Sequence, residues 1–218
     1  MSSKERVHRY FERAAARFDA IYEGEKPWTQ KLVDGAFRKV VLERFRLIVN
    51  LAPVPGEWRV LDVGCGPGRY AVALARAGAA EVHGVDVSEA MIALARADAE
   101  RAGVTGRCRF TVARFSDFEA PGPFEAIVAT GYFDYLDDPL PDLAKMVKLA
   151  RGRIFATFPK RWEVRVPIRR LRFALAGGFV RFYSRRETLA LFAAAGVAED
   201  RLSLIDLGRD WVAVARVP

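Results

Sequence analysis

A chain of 218 residues and 24.3 kDa, 51% hydrophobic and 28% charged, has the size and balance of one globular domain with a full core, which excludes disordered, collagenous and fibrous classes. Two cysteines, Cys65 and Cys108, and two histidines, His8 and His83, are too few for a disulfide scaffold and show no metal-ligand spacing, so no metal is expected. The net charge of +8 is local: Lys160 to Arg186 holds nine basic residues against one acid, Glu163, and the other 191 residues sum to zero.

In chain order, Val7, Tyr10, Phe11, Ala14, Phe18, Ile21 and Tyr22 have the spacing of an amphipathic helix that ends before Pro27. Val33, Phe37, Val41, Phe45 and Ile48 predict a second helix, closed by the turn-rich Ala52-Pro-Val-Pro-Gly56. From there short apolar runs alternate with helical patterns, the signature of βαβ units and a mostly parallel sheet. Predicted strands are Arg59–Val63, Glu81–Asp86, Arg109–Val112, Phe124–Ala129 and Arg153–Phe158. Helices are expected from the glycine loop to about Ala77, from an N-cap at Ser88 to Gly103, from Pro141 to about Ala150, and from a capping box at Ser184-Arg-Arg-Glu187 to Gly196. Two final strands, Arg201 to Leu207 and Asp210 to Val217, are joined by a turn short enough to make an antiparallel hairpin. The domain plan is therefore an N-terminal helical extension, 1–55, and an α/β domain, 56–218, with a basic insertion at 159–183.

The strongest chemical signal is Asp62-Val-Gly64-Cys65-Gly66-Pro-Gly68, between a predicted strand and a predicted helix. Glycines at this junction let a ligand lie against main-chain atoms where a Cβ would collide. The next strand ends in Asp86, 22 residues after Gly64, where a carboxylate accepts both ribose hydroxyls of an adenosine. A dinucleotide fingerprint needs G-x-G-x-x-G and a helix N-terminus open to pyrophosphate. Here the third glycine comes one position early, Arg69 stands in its place, and an acid precedes the loop. That order suits a ligand carrying a sulfonium and an ammonium group.

Val60-Leu-Asp-Val-Gly-Cys-Gly-Pro-Gly68 and Val82-His-Gly-Val-Asp-Val-Ser-Glu-Ala-Met91 resemble the first two motifs of the class I S-adenosylmethionine-dependent methyltransferases. The resemblance implies a Rossmann-like seven-stranded sheet in the order 3-2-1-4-5-7-6, with strand 7 antiparallel. It also implies that Gly64, Gly66 and Gly68 line the methionine moiety of S-adenosylmethionine, that Asp86 holds the ribose and Met91 borders the adenine, with Asp62, Cys65 and Val87 also among the cofactor-binding residues. Arg114 stands where the family often has an acid for the adenine amino group, leaving main chain near Phe115 and the side chains of Ser116 or Asp117 to meet that base. Thr130 and Tyr132 would lie nearest the sulfonium, and Asp134 replaces a histidine common among relatives.

Methyl transfer from a sulfonium is an in-line displacement in which positioning does much of the work, with a base needed when the nucleophile starts protonated. Asp134 is the candidate base, with Tyr132 and Tyr135 as shaping or hydrogen-bonding groups; the alternative reading is a helix-start acid beside core aromatics. Asp137-Asp138 reads as turn chemistry. Neither cysteine follows the fourth strand, where pyrimidine C5-methyltransferases keep their nucleophile, and no Asn- or Asp-Pro-Pro-aromatic tetrapeptide follows it either.

Candidate substrate contacts are Tyr22 in the N-terminal helices and Arg165, Arg169 and Arg172 in the insertion, both segments acting as a lid. The insertion interleaves arginine with Trp162, Val166, Ile168, Leu171 and Phe173, suited to an apolar anion or a peripheral contact with a membrane surface. Its longest uncharged stretch, Phe173 to Val180, is eight residues against the roughly 20 of a bilayer span. The charge-laced start contains no signal-like apolar core, so a cytoplasmic location is expected. Phe158-Pro-Lys before the insertion and Tyr183-Ser-Arg-Arg-Glu after it are loosely similar to magnesium-protoporphyrin O-methyltransferases. The function read from the sequence is methyl transfer from S-adenosylmethionine to an oxygen or nitrogen of a small or lipid-like, anionic metabolite. Alternatives are an RNA methyltransferase using the arginines on phosphates, a nicotinamide-dependent oxidoreductase, and a non-catalytic cofactor-binding scaffold.

Overall fold

The computed structural model describes residues 43–52, 56–161 and 180–217. Tyr22, Arg165, Arg169 and Arg172, with the first predicted helix and most of the insertion, lie outside these residues.

Seven strands form one sheet in the order β3-β2-β1-β4-β5-β7-β6. They are β1 (Arg59–Val63), β2 (Glu81–Asp86), β3 (Cys108–Val112), β4 (Phe124–Ala129), β5 (Ala150–Pro159), β6 (Leu202–Asp206) and β7 (Asp210–Arg216). The first five pair in parallel, while β7 is antiparallel to both β5 and β6. Order and directions are those implied by the family resemblance. The reversal at β7 follows from the short turn at Gly208 (φ 72°), which leaves no room for a crossover helix.

The central strands are buried on both faces, as a parallel sheet requires. One face carries Val60, Val82, Ala126, Val128, Phe155 and Val212 and is covered by α1 (residues 43–51) and α2 (Arg69–Arg76), through Ile48, Ala71, Leu74 and Ala75. The other carries Leu61, Val63, Val85, Ile127, Ile154 and Ala213, beneath α4 (Leu140–Leu149) and α5 (Arg185–Ala194), through Leu143, Met146 and Phe192. Between α2 and α4 in sequence, α3 (Glu89–Arg101) buries Met91, Ile92, Ala95 and Ala99, with Ser88 capping its first turn through the Met91 amide at 3.2 Å.

Strand boundaries differ from the sequence expectation where pairing extends them. β5 begins at Ala150 because Phe124 pairs with Ala150 before the register shifts, and it runs to Pro159, which opposes Asp210 of β7. α1 descends from the carboxyl edge of the sheet to its amino edge: Arg44 meets Asp210 at one end, and Arg153 donates to the Leu51 carbonyl at the other.

The capping box at Ser184 is complete, with the Glu187 amide on Ser184 Oγ at 3.2 Å and the Ser184 amide on Glu187 Oε2 at 2.7 Å. Ser184→Ala removes one half of it and is expected to destabilise the fold by about 1 kcal/mol, read as a lower urea midpoint at unchanged slope.

Candidate functional site

The carboxyl ends of β1, β2 and β4 converge on the glycine loop, where ligands of open α/β sheets bind. Gly64 and Gly66 have φ of 66° and 51°, a conformation that L side chains rarely adopt. A Cβ on Gly64 would lie 2.7 Å from Tyr132 Cδ2, so the loop must be bare for that ring to close on it. A Cβ on Gly66 would meet nothing within 4 Å, which leaves an open space in front of its backbone. Gly68 instead faces the protein, against Ala95 and Phe110.

All four N–H groups of the loop are engaged. Those of Gly64 and Cys65 donate to the Val85 carbonyl at 2.8 and 3.1 Å, and that of Gly68 to the Cys65 carbonyl at 3.0 Å. The Gly66 amide donates to Asp86 Oδ2 at 2.9 Å, and Asp86 Oδ1 accepts from the Ser88 amide at 3.0 Å. Pro67 has no N–H, so the loop presents no nest of free donors to a pyrophosphate. This geometry counts against the dinucleotide alternative on grounds the glycine spacing could only suggest.

Asp62 is buried under α2, where the Ala71 amide donates to it and Oδ2 has no partner. Burial drives its carboxyl up to about 7 against the pull of the Ala71 amide, and the charge of Asp86 adds to the rise. The Cys65 thiol is pushed up too, first by burial and then by Asp62 and Asp86, so it stays protonated in the loop. Val87 is half-buried beside Asp86, whereas the Met91 side chain is buried in the core of α3.

Beyond β3, Phe115 is buried and Ser116 and Asp117 are exposed, with Ser116 Oγ donating to Asp117 Oδ1 at 2.8 Å. Beyond β4, the Gly131 amide donates to Thr157 Oγ1 at 2.8 Å, which fixes the turn that carries Thr130. The Tyr132 hydroxyl donates to Asp142 Oδ2 at 2.6 Å, and burial with the Asp142 charge raises its ionisation far above the phenolic range. Asp134 is buried in a 3-10 turn, Phe133–Tyr135, with Tyr135 half-buried at its end. The chain returning from the insertion is tied to this turn, because the Arg181 amide donates to the Asp134 carbonyl at 2.8 Å and the Tyr183 hydroxyl to the Phe133 carbonyl at 2.9 Å.

Arg44 was not singled out by sequence reasoning. Its guanidinium reaches the carboxyl edge from α1, 3.3 Å from Asp210 Oδ2, and interacts electrostatically with Tyr70 and Asp134. Among the described residues, Arg44 Nε is buried without a partner, and the buried Tyr70 hydroxyl, facing Arg44 and Thr130, makes no hydrogen bond of ordinary geometry. With Asp62 Oδ2, three buried polar atoms on one face of the sheet beside the loop thus lack a hydrogen bond of ordinary geometry among the described residues. A buried polar group without a partner is costly unless something supplies one. A cation suits Asp62, and an anion or carbonyl suits Arg44 and Tyr70. One arginine among 28 on an amphipathic helix carries no sequence signal; pairing with a residue of the last strand exposes it.

Among the described residues, no group of His, Cys, Asp and Glu is placed to hold a metal ion, and no helix is long and apolar enough to cross a membrane. The Cys108 thiol is raised to about 11 by burial and by Asp62. His83 donates or accepts at Thr111 Oγ1, 2.8 Å away within the sheet, and burial lowers its basicity.

A methyltransferase-domain family model matches residues 60–152. A ubiquinone biosynthesis O-methyltransferase of Pseudomonas aeruginosa is 32% identical over 142 residues, 64% of this chain and 60% of that protein. A ribosomal protein L11 methyltransferase of Dechloromonas aromatica is 42% identical over 90 residues, 40% of this chain and 27% of that protein. The chain thus spans between 27% and 60% of the length of these two curated relatives. Among solved structures, magnesium protoporphyrin IX methyltransferase from Synechocystis PCC 6803 superimposes over 100% of both chains with a TM-score of 0.76 at 20% identity.

The raised Asp62 carboxyl has a consequence for stability. Above the ordinary value of 3.8 the unfolded chain releases this proton while the folded chain keeps it until about 7, so wild-type stability falls as pH rises across that window. Asp62→Asn is expected to raise Tm at pH 8, by about 2–4 °C per kcal/mol recovered in a chain of this size, with the gain shrinking toward pH 4. Thermal melts across that range check it.

Proposed function

We propose that this chain, which has the fold of the class I S-adenosylmethionine-dependent methyltransferases, is an enzyme that moves the methyl group of S-adenosylmethionine to an oxygen or nitrogen of a small or lipid-like, anionic metabolite. The observation that carries the reading is the glycine loop with its buried polar neighbours: an open space at Gly66 and, among the described residues, a carboxylate oxygen at Asp62 and a guanidinium nitrogen at Arg44 that have no hydrogen-bond partner. These groups match the zwitterionic methionine end of the cofactor, with Asp62 toward the ammonium and Arg44 with Tyr70 toward the carboxylate. Asp86, which holds the Gly66 and Ser88 amides at the end of β2, stands where a carboxylate meets the ribose hydroxyls. Bound there, the cofactor supplies a methyl group activated by a sulfonium.

The chain's own residues then hold, shape and deprotonate. Tyr132, seated on Gly64 and locked by Asp142, walls the methionine end; its hydroxyl is a donor held away from base chemistry. Asp134, in the 3-10 turn beyond β4 and in electrostatic contact with Arg44, is the carboxylate that would take the proton of the acceptor atom to which the methyl group goes. The acceptor class rests on the ubiquinone biosynthesis relatives and on the basic insertion at 159–183, which favour a ligand that is apolar and negatively charged.

Calorimetric titration is expected to show binding of S-adenosylmethionine and S-adenosylhomocysteine and none of NAD; the reverse order would overturn the reading. Arg44→Met is expected to weaken S-adenosylhomocysteine by about tenfold or more and to leave methylthioadenosine, which has no carboxylate, unchanged. With a panel that includes magnesium protoporphyrin IX and intermediates of ubiquinone biosynthesis as acceptors, Asp134→Asn is expected to lower kcat by about 100-fold or more at unchanged cofactor affinity.

A further inference from the structure

One face of α4 holds both the turn that follows β3 and the turn that follows β4. Lys145 of α4 directs its ammonium at three carbonyls of the segment that follows β3: Phe115 at 2.6 Å, Ser116 at 3.0 Å and Phe118 at 2.7 Å. Its Nζ also lies 4.9 Å from the centroid of the Phe115 ring. An ammonium has three protons, and here all three have acceptors. One turn earlier on the same face, Asp142 accepts from the Tyr132 hydroxyl at 2.6 Å. Phe115 and Tyr132, the two rings held in this way, meet edge to face with centroids 6.3 Å apart.

None of these contacts is demanded by the sheet. β3 ends at Val112, and the chain then folds into a 3-10 turn, Phe115–Asp117, that strand pairing does not reach. Likewise Tyr132 lies beyond β4, in a turn that strand pairing does not reach. Charge-assisted bonds from a single ammonium bind more strongly than neutral ones, and three of them converge on four consecutive residues. Lys145 and Asp142 are also half-buried, so their bonds are less screened than those of surface pairs.

We propose that Asp142 and Lys145 form a clamp that sets the width of the cofactor pocket, Lys145 positioning the adenine-facing segment 115–118 and Asp142 positioning Tyr132 over the methionine end. The proposal rests on the cofactor reading above and adds two positioning residues, neither of which touches the ligand. Each residue controls one end, so the two substitutions have different signatures. Lys145→Met keeps the apolar stem and removes the three donors; it loosens the segment that meets the base and weakens every adenine-bearing ligand by the same factor. Asp142→Ala frees the Tyr132 ring and weakens only ligands that carry the amino-acid tail.

The test is calorimetry on the full chain with S-adenosylhomocysteine and with methylthioadenosine, alongside thermal melts of each variant. Expected for Lys145→Met is a loss of about tenfold for both ligands, and for Asp142→Ala a loss of similar size for S-adenosylhomocysteine alone. A residue that served stability only would lower Tm and leave the affinity of the folded chain for both ligands unchanged. Affinity for both ligands unchanged from wild type in folded Lys145→Met, or a parallel loss of both in Asp142→Ala, overturns the clamp and leaves the cofactor reading standing. Failure of the wild-type chain to bind either ligand overturns the cofactor reading and the clamp with it.

Discussion

The carboxylate of Asp86 ties the tips of two strands together, and the pocket depends on that tie. One oxygen takes the Gly66 amide and the other the Ser88 amide, so a single side chain fixes the glycine loop and the entry to α3 at once. Pairing brings these parts within reach, since Val63 lies opposite Val85 in the β1–β2 ladder and the Val85 carbonyl accepts the amides of Gly64 and Cys65. With every loop donor engaged, the loop is rigid and offers its ligand a bare surface and nearby carboxylates rather than amide protons. A cation fits that setting and a phosphate does not.

The two faces of the sheet reach the carboxyl edge with different chemistry. On the face under α1 and α2 the apolar alternation ends in polar groups: Asp62 in β1, Thr157 in β5 and Asp210 at the start of β7, with Arg44 and Tyr70 facing them from the helices. On the other face aromatics continue to the rim, with Phe133 stacked on Phe158 at 4.7 Å and Tyr183 against Phe158 at 5.0 Å. Asp62 is a buried acid on the face under α1 and α2, and its raised carboxyl works against the fold as pH rises.

Much of this was legible in the chain. β1, β2 and β4 have the predicted boundaries, because short β-branched runs bounded by turn residues leave few alternatives, and the Ser184 capping box forms as its spacing implied. The glycine loop was legible for a local reason: its residues are neighbours in sequence and their backbone angles need glycine. Arg44, Asp142 and Lys145 were not. Each belongs to a helix whose pattern explains it as a solvated charge, and only the partner reveals another role: Asp210 lies 166 residues from Arg44, and the Phe115 carbonyl 30 residues from Lys145.

The division follows from the range of the forces involved. Hydrophobic periodicity, capping and glycine conformations are local, so the sequence alone determined the strands, the order of βαβ units, the closing hairpin and the chemistry of the loop. Which buried groups lack partners, how the β4 turn seats Tyr132 on Gly64, and which charges on α1 and α4 point at the pocket depend on contacts between segments far apart in the chain. Those contacts exist only after the sheet has brought its carboxyl ends to one edge, and so the tertiary structure alone decided them.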